Sequence, residues 1–186
     1  MGCFQRCNNN GNGNGAQEEK RAVVLRFRRE NLDYSIKNYA YIESHVMNDE
    51  TECSKHMVAD IGEEGNRDRV TRLLGVIHAG VIEMLYPYTK REAVEEIIDD
   101  DIWEPKEYVI VIHVPPTFSR TTCHLLSRLI HEYMVYRVLY DWLTITNKAD
   151  TQAALHWLEK AEEAAAEIES IKNLRTGTLE RPLRPW

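Results

Sequence analysis

From Ser119 to Leu143 apolar side chains cover most of the circumference of a helix: Leu125, Leu126, Leu129, Ile130, Tyr133, Tyr136, Leu139, Tyr140 and Leu143 recur at helical spacing on adjoining faces. A helix apolar on so many sides cannot keep one face in water, so it must lie at the centre of the fold. The turn Thr144-Ile145-Thr146-Asn147 leads to a second helical pattern over about 149–172, with Leu155, Leu158, Ala161, Ala165, Ile168 and Ile171 on one face. Its wealth of Ala and Glu favours the helix, and the small alanines allow close approach to a neighbour. The two patterns predict a mainly α protein, a helical bundle with a long C-terminal helix pair and a small β-strand or hairpin insertion.

The rest of the body is read from the same periodicity. Leu32, Ile36, Tyr39, Ile42 and Val46 form one stripe of a helix over about 30–47. Val70, Leu73, Leu74, Ile77, Val81, Met84 and Leu85 form a wider stripe, with Asn66 placed to cap its start and Pro87 to end it. A short helix is expected around Met57 and Ile61, and Thr89 with Glu92 has the spacing of a capping box. Tyr108-Val109-Ile110-Val111-Ile112-His113-Val114, between Pro105 and Pro115-Pro116, is β-branched and short and predicts a strand. Both of its faces are apolar apart from His113, so both should be covered. Val94–Ile98, Val23–Phe27 or a strand of another subunit could pair with it. Trp142 and Trp157 are expected to close the hairpin between the last two helices.

The ends differ from the body in composition. Residues 8–15 are only Asn and Gly, which bury nothing, and no apolar run near the amino end suits a secretory signal. Arg6 stands where an N-myristoylation pattern needs Ser or Thr. Residues 1–29 are therefore set apart as a flexible basic arm, 30–172 as the helical body with a β insertion near 93–114, and 173–186 as an extended tail. Residues 1–29 carry six basic and two acidic side chains, and 172–186 carry four and one, which leaves −14 of the total of −7 on the body between them. Acidic body and basic ends suit contact between copies of the chain. Such a chain is not held to nucleic acid by bulk charge. No apolar run approaches the roughly 20 residues of a membrane span, so no membrane partner is expected. Four unpaired-looking cysteines point to a reducing compartment.

Motifs for chemistry are near misses. His131-Glu132 begins like a zinc-protease helix, but Val135 stands where the second His is required. His124 and His131 are two turns apart, about 10 Å by helical rise, too far to share a metal unaided. Asp99-Asp100-Asp101 lacks the alternation of a calcium loop. The reading is of a non-enzyme, with no catalytic, cofactor-binding or metal-ligating residue assigned. Trp103, in an acidic loop, and Trp186, at the terminus, are instead candidate interface anchors. Leu183 is a second apolar anchor of a proline-stiffened tail, and Arg181 and Arg184 are charge partners for an acidic body.

Ile112–Ser119, Leu129–Tyr133, Tyr140–Leu143 and Trp157–Ala161, taken in order over about 66–172, resemble the head–tail connector (adaptor or neck) proteins of tailed bacteriophages. The resemblance implies a mostly helical subunit of a ring, commonly of twelve copies, that lies between portal and tail proteins. Such a ring surrounds the DNA channel, where non-specific contact with DNA is expected. It would reside in the virion neck, and in the host cytoplasm before assembly. A tail-completion or tail-terminator factor, or a cytoplasmic enzyme or regulatory module, is the alternative.

Overall fold

The computed structural model describes residues 20–46, 52–90, 104–115, 118–146 and 151–174. In chain order these form strand β1 (Arg21–Arg28), helices α1 (Arg29–Val46) and α2 (Glu52–Ala59), two short 3-10 turns, helix α3 (Arg67–Met84), strand β2 (Glu107–Val114), and helices α4 (Arg120–Thr146) and α5 (Thr151–Leu174). The fold is mainly helical, with a two-stranded antiparallel sheet and a long helix pair at the C-terminal end, as the periodicities predict.

Helix α4 is the central element, packed on α1, α2, α3 and α5. Ser119 caps it: its Oγ accepts the Thr122 N–H at 3.1 Å. Leu126, Ile130, Met134, Val135, Val138, Leu139, Trp142 and Leu143 are buried, so the apolar surface turns around the helix as it meets successive partners. Leu129 is only half-buried and Leu125 is exposed. In α5 the buried positions are Ala154, Trp157, Ala161, Ala164 and Ile168, alternating steps of three and four. That spacing is the seam of a coiled-coil-like pair, narrow enough for the alanines to bring the backbones close. Ala161 and Ile168 lie on this seam as expected, while Leu155, also expected there, is 46% exposed, and Ala154, Trp157 and Ala164 are buried in place of Leu155, Leu158 and Ala165.

The two buried tryptophans fasten the pair to the N-terminal helices. The Trp142 indole N–H donates to the Val58 carbonyl at 3.0 Å and holds α2. The Trp157 N–H donates to a Glu43 carboxylate oxygen at 3.3 Å, and its ring packs on Tyr39 and Tyr136 with centroids 5.3 and 5.5 Å away.

The strand partner of β2 is β1, in the register Arg21↔Val114 to Arg28↔Glu107. The sheet is therefore no hairpin insertion: α1, α2 and α3 all lie between its strands in the chain. The basic arm expected over residues 1–29 also ends earlier than anticipated, since Arg21–Arg28 is a strand and Arg29 opens α1. The reason is the alternation of Val23, Leu25 and Phe27, which gives the segment one apolar face. Leu25, Phe27, Tyr108, Ile110, Ile112 and Val114 turn that face into the core. The strand at 108–114 is present and one residue longer. Only one of its faces is covered by described residues, since Val109 and Val111 are partly exposed.

The stripe of α1 also differs from expectation. Leu32, Ile36, Ala40 and Ser44 are buried at intervals of four, while Ile42 and Val46 are exposed. Asn66 precedes α3 but does not cap it; its Nδ2 donates to the Asp60 carbonyl at 2.9 Å and ties the 3-10 turns together. At the other end of α3 the Thr89 hydroxyl donates to the Ile82 carbonyl at 2.7 Å. Glu92, its proposed capping partner, lies outside the described residues.

Candidate functional site

The five interface candidates, Trp103, Arg181, Leu183, Arg184 and Trp186, all lie outside the described residues. Their attachment points do not. Trp103 directly precedes Glu104, whose carboxylate is fixed by two arginines. The tail follows the end of α5, where the Lys172 ammonium donates to the Met84 carbonyl at 2.7 Å and the Tyr88 hydroxyl donates to the Lys172 carbonyl at 3.4 Å. The last turn of α5 is thus held beside the C-terminal end of α3.

Arg29 is the most buried charge described, at 6% exposure. Its Nε lies 3.1 Å from Glu104 Oε1 and 3.3 Å from Asp33 Oδ2, and its Nη1 donates to Thr71 Oγ1 at 2.8 Å. Thr71 in turn donates to the Arg67 carbonyl, and Arg67 Nε donates to the same Glu104 oxygen at 2.8 Å. The Arg29 backbone N–H donates to the Lys106 carbonyl at 3.0 Å. One guanidinium so joins the β1–α1 junction, the first turns of α3 and the lead into β2. The Tyr108 hydroxyl is buried beside it without a hydrogen bond. Burial pushes its pKa up, and Arg29 opposes the rise.

Clefts of about 440 and 550 Å³ flank the cluster, the first lined by Lys37, Glu63 and Arg67, the second by Arg28, Glu104 and Lys106. Both carboxylates of the cluster already face a guanidinium, so its chemistry is that of a clasp between elements. Sequence reasoning missed it, having placed Arg29 in the arm. In Arg26-Phe27-Arg28-Arg29 the one signal was position: Arg29 stands where strand alternation gives way to helical spacing.

Between α1 and α4, Ser35 Oγ lies 3.0 Å from His131 Nε2. The pair has the outline of a nucleophile and base, but the Ser35 hydroxyl donates to the Asn31 carbonyl at 3.0 Å. A hydroxyl has one proton, so His131 must donate to Ser35 through Nε2–H, the reverse of what activation requires. Burial pushes the His131 pKa down, with Glu132 opposing, and keeps the ring neutral. Glu132 accepts from the Tyr39 hydroxyl at 3.4 Å, and burial together with this carboxylate raises the pKa of Tyr39 and Tyr136. His131-Glu132 therefore serves helix packing. His124, on the surface, accepts from Arg120 Nε at 3.4 Å. No group of three potential metal ligands occurs among the described residues, and Asp99–Asp101 lies outside them. No described helix is long and apolar enough to cross a membrane.

What the core leaves outside is more distinctive. Along the outward side of α1, Tyr34 is 72% and Tyr41 58% exposed, with Ile42 and Val46 also exposed. Tyr34, Tyr41, Ala59 and Gly62 line an open groove of about 410 Å³ against α2, with Met57 exposed on the same helix. The outward side of the sheet presents Val24, 49% exposed and paired across the strands with Val111. Exposed aromatics and valines grouped on two different surfaces are features of contact faces.

Compared with protein-family models, curated proteins and solved structures, the chain matches none.

Proposed function

We propose that the protein is a structural subunit of a tailed-phage neck, a ring-forming head–tail connector joining portal and tail around the DNA channel. One observation carries the reading beside the sequence resemblance. Among the described residues, two unlike apolar surfaces lie outside the core, the tyrosine-rich side of α1 and the outward side of the sheet. A closed ring needs unlike surfaces, because rotation by a fixed angle sets one patch of a subunit against a different patch of the next. Further unlike surfaces serve the layers above and below. The segment 175–186 adds a tether, with Trp186 and Leu183 as anchors and Arg181 and Arg184 as charge partners, and Trp103, next in sequence to Glu104, is a further anchor.

Negative-stain microscopy beside light scattering, on the protein alone and mixed with a portal protein, tests the reading. Rings in either sample support it; a 21.7 kDa monomer in both contradicts it. Deleting 175–186 should leave a folded body that assembles poorly, and unchanged assembly would remove the role given to the tail.

A further inference from the structure

Among the described residues the sheet is unfinished on one side. The far edge of β2 is covered: the His78 Nε2–H donates to the Val109 carbonyl at 3.2 Å, and the His113 N–H donates to the Tyr88 carbonyl at 2.8 Å. The far edge of β1 has no strand beside it among the described residues. Unpaired strand edges and exposed β-branched faces are surfaces that proteins normally cover or use. The outward face has Val24, Val109 and Val111 at its centre, with Arg26 and Arg28 along β1. The run Lys20–Arg28 holds four basic residues and no acidic one. The ion pairs these outward arginines make, Arg26 with Glu107 at 3.4 Å and Arg28 with Glu30 at 3.7 Å, are exposed and therefore weak and exchangeable.

The complementary surface is on α5. Opposite its buried seam it exposes Glu159, Glu162, Glu163, Glu167 and Glu169 around Leu155 and Ala166. None of these glutamates forms an ion pair among the described residues. An amphipathic, acidic helix face and an apolar sheet face rimmed by arginine match in charge and in layer geometry, because helix on sheet is a standard way to bury a sheet's second side.

We infer that the outward face of the β1–β2 sheet is the seat of the outward face of α5 from a second copy of this chain, the two together making the head-to-tail contact between subunits. The inference rests on the ring reading, keeps the sheet face as one contact face and sets the outward side of α5 against it, which leaves the tyrosine-rich side of α1 for an adjacent layer. Leu155 lies over Val24 and Val111, and Glu159 and Glu163, one turn apart, meet Arg26 and Arg28.

Two charge-reversed proteins test it: one carries Arg26→Glu and Arg28→Glu, the other Glu159→Lys and Glu163→Lys. Each should keep the wild-type circular dichroism spectrum yet associate at least about tenfold more weakly by light scattering, portal protein being added if the wild type needs it. Mixed in equal amounts they should associate again, because every contact between unlike variants then pairs opposite signs. If either reversal misfolds, Arg26→Gln/Arg28→Gln and Glu159→Gln/Glu163→Gln replace it, and each should weaken association and flatten its salt dependence. Wild-type association in either folded reversed variant, no rescue on mixing, or a salt dependence unchanged by neutralisation overturns the assignment while leaving the ring reading standing. A wild type that never associates, with or without portal, overturns both.

Discussion

The α4–α5 pair and the junction of β1 with α1 are held together by opposite means. The helix pair is joined along one continuous apolar seam, with Ala161 and Ala164 setting the separation and Ile130, Met134 and Ile168 fully buried. The β1–α1 junction is joined by a buried guanidinium shared among Asp33, Glu104 and Thr71. An apolar seam gains from each area it hides and tolerates small shifts. A buried charge cluster gains little net energy but fails sharply when one partner is lost, so it fixes which elements meet.

Core truncation should give the largest effect. Ile130→Ala, at a position with no exposure, should lower stability by about 2–5 kcal/mol in urea unfolding. Leu129→Ala, half-buried on the neighbouring face, should cost clearly less; equal costs would show that the seam is misplaced by a residue.

Next comes the clasp. Arg29→Ala strands the Asp33 carboxylate and leaves Glu104 to Arg67 alone, both carboxylates being about a third exposed, and should cost about 2–3 kcal/mol, below the range for a fully buried pair. Replacing Arg29, Asp33 and Glu104 together by apolar residues should recover much of that loss. A triple variant worse than the single one would mean that the cluster supplies stability outright and not register.

The contrast also explains what could be read from the chain itself. The seam residues of α4 are neighbours at helical spacing, so Leu126, Ile130 and Leu139 were legible, as were the strand 108–114 and its Pro boundaries. In α5 Ala161 and Ile168 were legible too, while Leu155 misled because it is more hydrophobic than the Ala154 that is buried beside it. Ile42 and Val46 misled for the same reason: hydrophobicity marks a face, and α1 has apolar side chains on two. The clasp was illegible, since residues 29, 33, 71 and 104 meet only after the sheet has paired, and no local period links them. The outward sheet face was half-legible, as an apolar strand side that expected a cover.

A third expectation separates seam from surface. Ala161→Leu should overpack the helix pair by about 1–3 kcal/mol, while Leu155→Ala on the outward side of α5 should change stability by less than about 0.5 kcal/mol. A large loss at Leu155 in the monomer would put the contact face inside the fold.

The smallest effect is on pH. Burial lowers the pKa of both His78 and His131 from the usual 6.5. The unfolded chain then takes up protons first as pH falls below about 6.5, so the melting temperature should decline from there toward the lower folded-state pKa values and be level above. His78→Gln with His131→Gln should flatten that slope, and an unchanged slope would assign it to other groups.

Hydrogen–deuterium exchange of the free and the assembled protein tests the division between finished core and open faces most directly. Amides of β1, whose outward face is left open by the described residues, should gain protection on assembly, while those in the middle of α4 should be slow in both states and change little. Protection gained throughout α4, with β1 unchanged, would contradict it, since the core would then be completed by the partner and the outward sheet face would not be a contact face.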